Sequence, residues 1–118
     1  MTARKIIIDT DPGHDDAVAI LLAFAAPDEL DVVAITTVAG NVPLDLTTRN
    51  ALMVCELAGR TDVPVYAGSI RPMVRDLVTA EYVHSESGND GAGLPEPTST
   101  VAAGLAVDAI IEMTMSAN

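Results

Sequence analysis

The chain has 118 residues, and 49% of them are hydrophobic, so it is long and apolar enough to fold around a core. It carries 17 acidic and 6 basic residues, a net charge of −11, and this excess of acid disfavours nucleic acid as a partner. The longest apolar run, residues 17–26, is too short to cross a membrane, and the N-terminus does not resemble a signal peptide.

Strand and helix patterns alternate along the chain. The predicted strands are residues 4–9, 31–41 and 63–68, and the predicted helices are residues 15–27, 44–60 and 101–116. This alternation predicts an α/β fold: an open, mainly parallel sheet with flanking helices, in which residues 1–118 belong to a single domain. In such sheets, ligands bind beyond the carboxyl ends of the strands.

Several local expectations accompany these elements. The first helix is apolar on all sides, so we expect it to be well buried. Gly59 is predicted to follow the C-terminus of the second helix. Between residues 69 and 99 the pattern is irregular, with a short helical possibility at 71–78. Ser99 or Thr100 is expected to cap the last helix, whose polar face carries Asp108, Glu112 and Ser116 and whose opposite face carries Val107, Ile110, Ile111 and Thr114.

Four aspartates stand within the eight residues "DTDPGHDD", numbers 9–16. Asp9 and Asp11 point to the same side of an extended chain, and Asp15 and Asp16 follow the Pro12-Gly13 turn at the start of a helix. Three or more carboxylates are thus expected to meet within a few ångströms. Such a cluster favours a hard divalent cation, calcium before magnesium, because zinc would require histidine or cysteine and only His14 is near.

Each of these residues also has a simpler interpretation. Asp15 could cap the helix, Asp16 could interact with the helix dipole, and Asp9 could bind turn amides without any metal. Gly40-Asn41 is a common turn pair. Arg49, in "TTRNA", is expected to be a surface or packing residue, and the lone Cys55 is expected to be a small core residue.

The segment "DTDPGHDDAVAILLA" resembles the N-terminal signature of the inosine-uridine-preferring nucleoside hydrolases. The resemblance continues in order through "AITTVAGN", "TRNA", "VPVYAG" and "HSESG". It implies a calcium-dependent enzyme that hydrolyses the N-glycosidic bond of ribonucleosides to free base and ribose, in purine or pyrimidine salvage. The family's domain is longer than this chain, which is expected to be its truncated N-terminal portion.

The resemblance assigns the metal and catalytic residues. Asp11 would ligate calcium and act as general base toward the calcium-bound water. Asp16 would be a calcium ligand, in a bidentate mode, and Asp9 would support the cluster through hydrogen bonds. Two carboxylates give at most four oxygens, short of the 6–8 that calcium prefers, so we expect this chain alone to bind calcium weakly and to be inactive. A parallel sheet cut after three strands exposes a hydrophobic edge, so we also expect the chain to associate.

The resemblance also assigns substrate contacts. Asp15 would bind a ribose hydroxyl, Asn41 would contact the ribose near the attacking water, and His84 would lie on a loop over the substrate. Ser85 and Asn89 depart from the family's usual residues around His84. From the composition we expect a cytoplasmic protein that binds neither nucleic acid nor membrane, and the resemblance implies a dimer or tetramer at full length.

Two other functions remain open on the sequence. The first is a shortened relative that binds a cation or ribose without catalysis. The second is an aspartate-nucleophile phosphotransferase, because "DTD" at a strand end resembles that class. The second ranks last, since Pro12-Gly13 does not match the D-x-D-G-T pattern of those enzymes.

Overall fold

A computed structural model of the chain describes residues 2–81 and 93–117. The sheet is formed by the strands β1 (Arg4–Thr10), β2 (Leu30–Thr37) and β3 (Val65–Ala67), and the helices are α1 (His14–Phe24), α2 (Leu44–Leu57) and α3 (Ala106–Ser116). Within the described residues, the strands lie in the order β1-β2-β3 and both pairs are parallel. The expected parallel sheet with flanking helices is therefore confirmed.

The register of the sheet brings the ends of β1 and β2 together. Asp9 is paired with Thr36, and Thr10 with Thr37. One further backbone bond, from the Val38 amide to the Thr10 carbonyl at 3.1 Å, extends this pairing beyond the strands. The segments that follow the two strands therefore leave the sheet side by side.

The main core lies between one face of the sheet and helices α1 and α2. Ile20, Ile35, Val54 and Val65 are almost completely buried there, and Ile6 and Ile8 of β1 pack against them. Alternation along β1 turns the intervening residues to the other face. There Ile7 lines a groove of about 400 Å³, shared with β2 and with α3.

Helix α1 is less buried than its composition predicts. Only Ile20 and Ala23 are buried, whereas the side chains of Val18 and Leu22 are 64% and 70% exposed. One side of the helix packs on the sheet and α2, and the described residues place nothing over the opposite side. A uniformly apolar helix does not reveal which side finds a partner, so the expectation of full burial was wrong.

The ends of α2 and α3 illustrate one correct and one wrong prediction. Gly59 has φ +68° and follows α2, where its amide and that of Arg60 bond to the carbonyls of Glu56 and Cys55. This is a Schellman ending, as predicted. The last helix instead begins at Ala106 without a side-chain cap, so neither Ser99 nor Thr100 caps it.

Helix α3 starts later than predicted because Glu56 of α2 binds the residues that were expected to precede it. The Glu56 carboxylate accepts hydrogen bonds from the backbone amides and the hydroxyls of Thr98 and Ser99. The Thr98 amide makes the largest contribution to lowering the pKa of Glu56. Further on, the Ala102 amide bonds to the Val65 carbonyl at 2.8 Å, so the chain is tied to β3 before the helix begins.

One further expectation outside the core was wrong, and α3 buries residues that its apolar face does not include. Residues 71–78 form bends rather than a helix, and Met73 and Val74 are exposed. In α3 the buried residues are Ala106 and Ala109, whereas Val107 and Ile111 are more than half exposed. Small alanines allow the helix to approach β3 and Gly68 closely, where the larger residues would not fit.

No helix in the described residues combines the length and apolarity needed to cross a membrane. Cys55 is buried on α2, as expected of a core residue. Burial raises the pKa of its thiol to about 11, and the nearby Asp62 carboxylate adds to the shift.

We predict that the Cys55 thiol is protected in the native protein. Labelling by a disulfide reagent at pH 8 should be about 100-fold slower than in urea, because a pKa near 11 leaves little thiolate. The ionised thiol is disfavoured in the fold. The stability that this burial contributes should therefore be complete below the ordinary pKa of 9.0 and should be lost as the pH rises toward about 11. Equal labelling rates in native and unfolded protein would contradict the prediction.

Candidate active site

Asp11 lies immediately beyond β1, and Asn41 in the segment that follows β2 fixes its position. The Asn41 amide N–H donates to Asp11 Oδ2 at 2.9 Å. The Asn41 side chain donates through Nδ2 to the Asp11 carbonyl, also at 2.9 Å. One residue thus holds both the carboxylate and the backbone of Asp11, although 30 positions separate the two in the chain.

Gly40 is the reason why the two segments can approach so closely. A Cβ atom at this position would lie 2.2 Å from Asp11 Oδ2, far inside van der Waals contact. Any side chain would therefore displace the Asp11 carboxylate or the backbone around Gly40. The "GN" pair consequently acts as a binding surface for Asp11 in addition to forming a turn.

Asp16, in the first turn of α1, meets Asp11 from the other side of the Pro12-Gly13 turn. Burial raises the pKa of Asp16 above its ordinary value. The Thr10 hydroxyl opposes this increase by hydrogen bonding, whereas the charges of Asp15 and Asp11 and a hydrogen-bond contact with the Asp11 carboxyl add to it. Asp11 and Asp16 are therefore neighbouring carboxylates whose charges repel each other.

The remaining predicted site residues lie at the margin of this pair or beyond it. Asp9 is exposed, and its Oδ1 accepts a 2.6 Å hydrogen bond from the hydroxyl of Thr36 on β2. Asp15 is exposed beside Asp16, and His14, also exposed, begins α1. His84 lies outside the described residues.

Polar residues of α2 support the site, and the sequence analysis had overlooked them. Asn50 is fully buried and donates through Nδ2 to the Pro12 carbonyl at 3.0 Å. The Thr47 hydroxyl donates to the Val38 carbonyl at 2.9 Å, and the hydroxyls of Thr48 and Thr37 are 2.8 Å apart. Three polar side chains among buried neighbours within "LTTRNAL" were the available signal.

Arg49, the other member of this motif, forms an ion pair with Glu96. Its Nε lies 2.8 Å from Glu96 Oε2, and its NH2 group contacts the second carboxylate oxygen. This position agrees with the expected surface role.

The donor atoms suit a hard cation but do not complete a site. Among residues 2–81 and 93–117, no group of three or more acidic, histidine or cysteine side chains is arranged to hold a metal. The expected group of three or more carboxylates is therefore not assembled as a metal site among these residues. Asp9 bonds to Thr36, and Asp15 faces solvent. Asp11 and Asp16 offer adjacent carboxylate oxygens, the ligand type that calcium and magnesium prefer.

Comparison with known proteins adds to this geometry. A family profile described as inosine-uridine preferring nucleoside hydrolase matches residues 6–118. The pyrimidine-specific ribonucleoside hydrolase RihA of Escherichia coli is 56% identical over 96 residues, which cover 81% of this chain and 30% of RihA. An uncharacterised protein of Schizosaccharomyces pombe is 57% identical over 108 residues, 92% of this chain and 34% of that protein.

A solved structure of a ribonucleoside hydrolase has the same fold. A purine-preferring ribonucleoside hydrolase from Gardnerella vaginalis superposes with a TM-score of 0.88 at 31% identity, over 96% of this chain and 37% of that one. The chain spans about a third of the length of these relatives. Because the family profile covers nearly every residue and the fold agrees, the chain belongs to the inosine-uridine-preferring nucleoside hydrolase family.

Proposed function

We propose that this protein serves in the hydrolysis of the N-glycosidic bond of ribonucleosides, giving a free base and ribose. The observation that carries the proposal is the Asp11–Asp16 carboxylate pair, which lies beyond the carboxyl end of β1 within a chain of this family. The proposed roles are those of a general base for Asp11 and of a metal ligand for both residues.

Calcium is the proposed cofactor, with magnesium as the alternative. Both carboxylates are hard oxygen ligands, and a divalent cation between them would remove the repulsion that, after burial, adds to the raised pKa of Asp16. When bound, the ion would lower the pKa of a water molecule and help to orient the ribose hydroxyls.

Asp11 is suited to accept the proton of the attacking water. The Asn41 amide binds its Oδ2 and restricts the carboxylate to one orientation, so the base is positioned before substrate arrives. As the nucleobase leaves, positive charge develops on the sugar in an oxocarbenium-like transition state. The negative charges of Asp11, Asp15 and Asp16 would stabilise that charge.

The substrate contacts remain proposals. Asp15 is exposed beside the pair and is available for a ribose hydroxyl. The side-chain nitrogen Nδ2 of Asn41 donates to the Asp11 carbonyl. We therefore propose that the side-chain oxygen of Asn41 contacts the ribose. His84 is proposed to lie over the substrate, and Asp9 to support the site through its bond to Thr36.

The wider setting is also proposed. RihA is described as pyrimidine-specific and the Gardnerella enzyme as purine-preferring, so the substrate is proposed as the class of ribonucleosides without a preferred base. A cytoplasmic, homo-oligomeric protein in nucleoside salvage is the setting that we propose for this activity.

A second candidate is a module that binds a cation or ribose without catalysis. It is favoured by the presence of only the Asp11–Asp16 pair, rather than a larger ligand group, in the described residues. Titration of the chain with calcium and with ribose, beside an assay for released base, separates the two functions.

The catalytic proposal can be tested in a chimera of RihA that carries this chain in place of its matching segment. We expect the chimera to release base from a pyrimidine ribonucleoside. Asp11→Asn should lower kcat by about 10²–10⁴-fold, because the proton acceptor is lost. Asp28→Asn, an exposed acid before β2, is the matched control and should leave kcat unchanged. An active Asp11→Asn chimera would rule out Asp11 as the base.

The metal proposal predicts opposite effects of one substitution. In EDTA, Asp16→Asn should stabilise the chain by less than about 1 kcal/mol, because it removes a charge that repels Asp11 and Asp15. The raised pKa means that this penalty appears as the pH rises above the ordinary value of 3.8, so the gain should vanish below it. Calcium should raise Tm in the wild-type chain and not in the variant. Equal calcium stabilisation of both would refute the ligand role.

Gly40→Ala should reduce activity by displacing Asp11. The added methyl would overlap the Asp11 carboxylate, and a shift of about 1 Å can cost about 10²-fold in rate. Gly59→Ala is the control in the same chimera. It strains a left-handed residue far from the site, with nothing within 4 Å of the new methyl, so it should lower Tm without lowering kcat. Full activity of Gly40→Ala would show that the close approach is dispensable.

A further inference from the structure

Two consecutive carbonyls in the site turn are each held by an asparagine side chain from another part of the chain. The Asp11 carbonyl accepts from Asn41 Nδ2 at 2.9 Å, and the Pro12 carbonyl accepts from Asn50 Nδ2 at 3.0 Å. Asn41 belongs to the segment after β2, whereas Asn50 lies inside helix α2. The turn between the two aspartates of the site is therefore fixed from two directions.

Burying the polar side chain of Asn50 costs free energy, which indicates that its hydrogen bond has a specific role. Its side chain is fully buried beside apolar residues such as Ala51 and Val54. A buried amide loses its hydrogen bonds to water and is tolerated only with internal partners. Pro12 is also fully buried and has no N–H group, so its carbonyl is its only backbone group for hydrogen bonding.

The hydrogen bond from Asn50 to the Pro12 carbonyl can affect the positions of both Asp11 and Asp16. Asp11 precedes Pro12 directly, and Gly13 follows it as the N-cap residue of α1, in whose first turn Asp16 lies. A rotation of the Pro12 peptide would therefore change the direction of the Asp11 backbone and the entry of the helix together. Both carboxylates depend on the same peptide.

We propose that Asn50 is a positioning residue, which holds the Pro12 carbonyl so that the Asp11 and Asp16 carboxylates face each other. Its importance for catalysis rests on the function proposed above, whereas its effect on the geometry of the turn does not. In this proposal Asn50 contacts neither the reacting atoms nor the metal. It acts through the turn, as residues behind metal ligands commonly do, where substitution costs about 10–100-fold in affinity.

The test compares Asn50→Leu with Val54→Ala in the 118-residue chain. Asn50→Leu keeps the approximate size of the side chain and removes the donor. Val54→Ala lowers stability from the same helix, at a residue of the hydrophobic core. The first readout is hydrogen exchange of the Asn41 amide, which is bonded to Asp11 Oδ2, with rates compared at matched global stability. The second is the calcium Kd from isothermal titration.

We expect the Asn41 amide to exchange at least tenfold faster in Asn50→Leu than in Val54→Ala, and calcium to bind about 10–100-fold more weakly. Unchanged exchange of the Asn41 amide in Asn50→Leu would overturn the proposal. If the wild-type chain binds no calcium, the metal proposal fails, and the exchange of Asn41 still decides the role of Asn50.

A measurement on the wild-type chain covers the case in which Asn50→Leu does not fold. The side-chain amide resonance of Asn50 is followed by NMR, first in EDTA and then during titration with calcium. Its protons should exchange slowly in EDTA, as expected of a buried bonded donor, and the resonance should shift in step with those of Asp11 and Asp16. Rapid exchange, or a stationary Asn50 resonance while both aspartates shift, would refute the proposal.

Discussion

The structure of the site depends on one unfavourable interaction, the approach of the Asp11 and Asp16 carboxylates. Burial and neighbouring negative charge raise the pKa of Asp16, so the fold holds the pair together against its own electrostatics. Either a shared proton or a bound cation relieves that repulsion. Strain of this kind, at the carboxyl end of a parallel strand, is typical of a functional site rather than of a stabilising feature.

The scaffold opposes this repulsion with directional hydrogen bonds. Asn41 binds Asp11 through its backbone and its side chain, and Asn50 fixes the following carbonyl. Gly40 contributes by lacking a side chain, because a methyl would occupy the space of the Asp11 carboxylate. Thr47 holds the Val38 carbonyl in the same way. Helix α2 therefore organises the segments that follow both β1 and β2.

The chain is about a third as long as its relatives, and several apolar side chains of α1 and α3 are exposed on its surface. Val18 and Leu22 on α1, and Val107 and Ile111 on α3, are all more than half exposed. The apolar residues on all sides of α1 predicted burial, because an apolar pattern reports a preference for contact. It does not report whether a contacting surface is present. The number of calcium ligands is equally hard to predict from a local pattern, because ligands come from residues that are distant in the sequence.

The sequence by itself determined the order and type of the elements, the parallel sheet, the glycine ending of α2 and the family. These features depend on short-range periodicity, turn chemistry and a dense local motif. Only the tertiary structure decided that Asn41 holds Asp11, that Asn50 holds Pro12, and that Glu56 rather than α3 engages Ser99. Those contacts join residues 30, 38 and 43 positions apart, and a buried polar side chain has several possible partners until packing selects one.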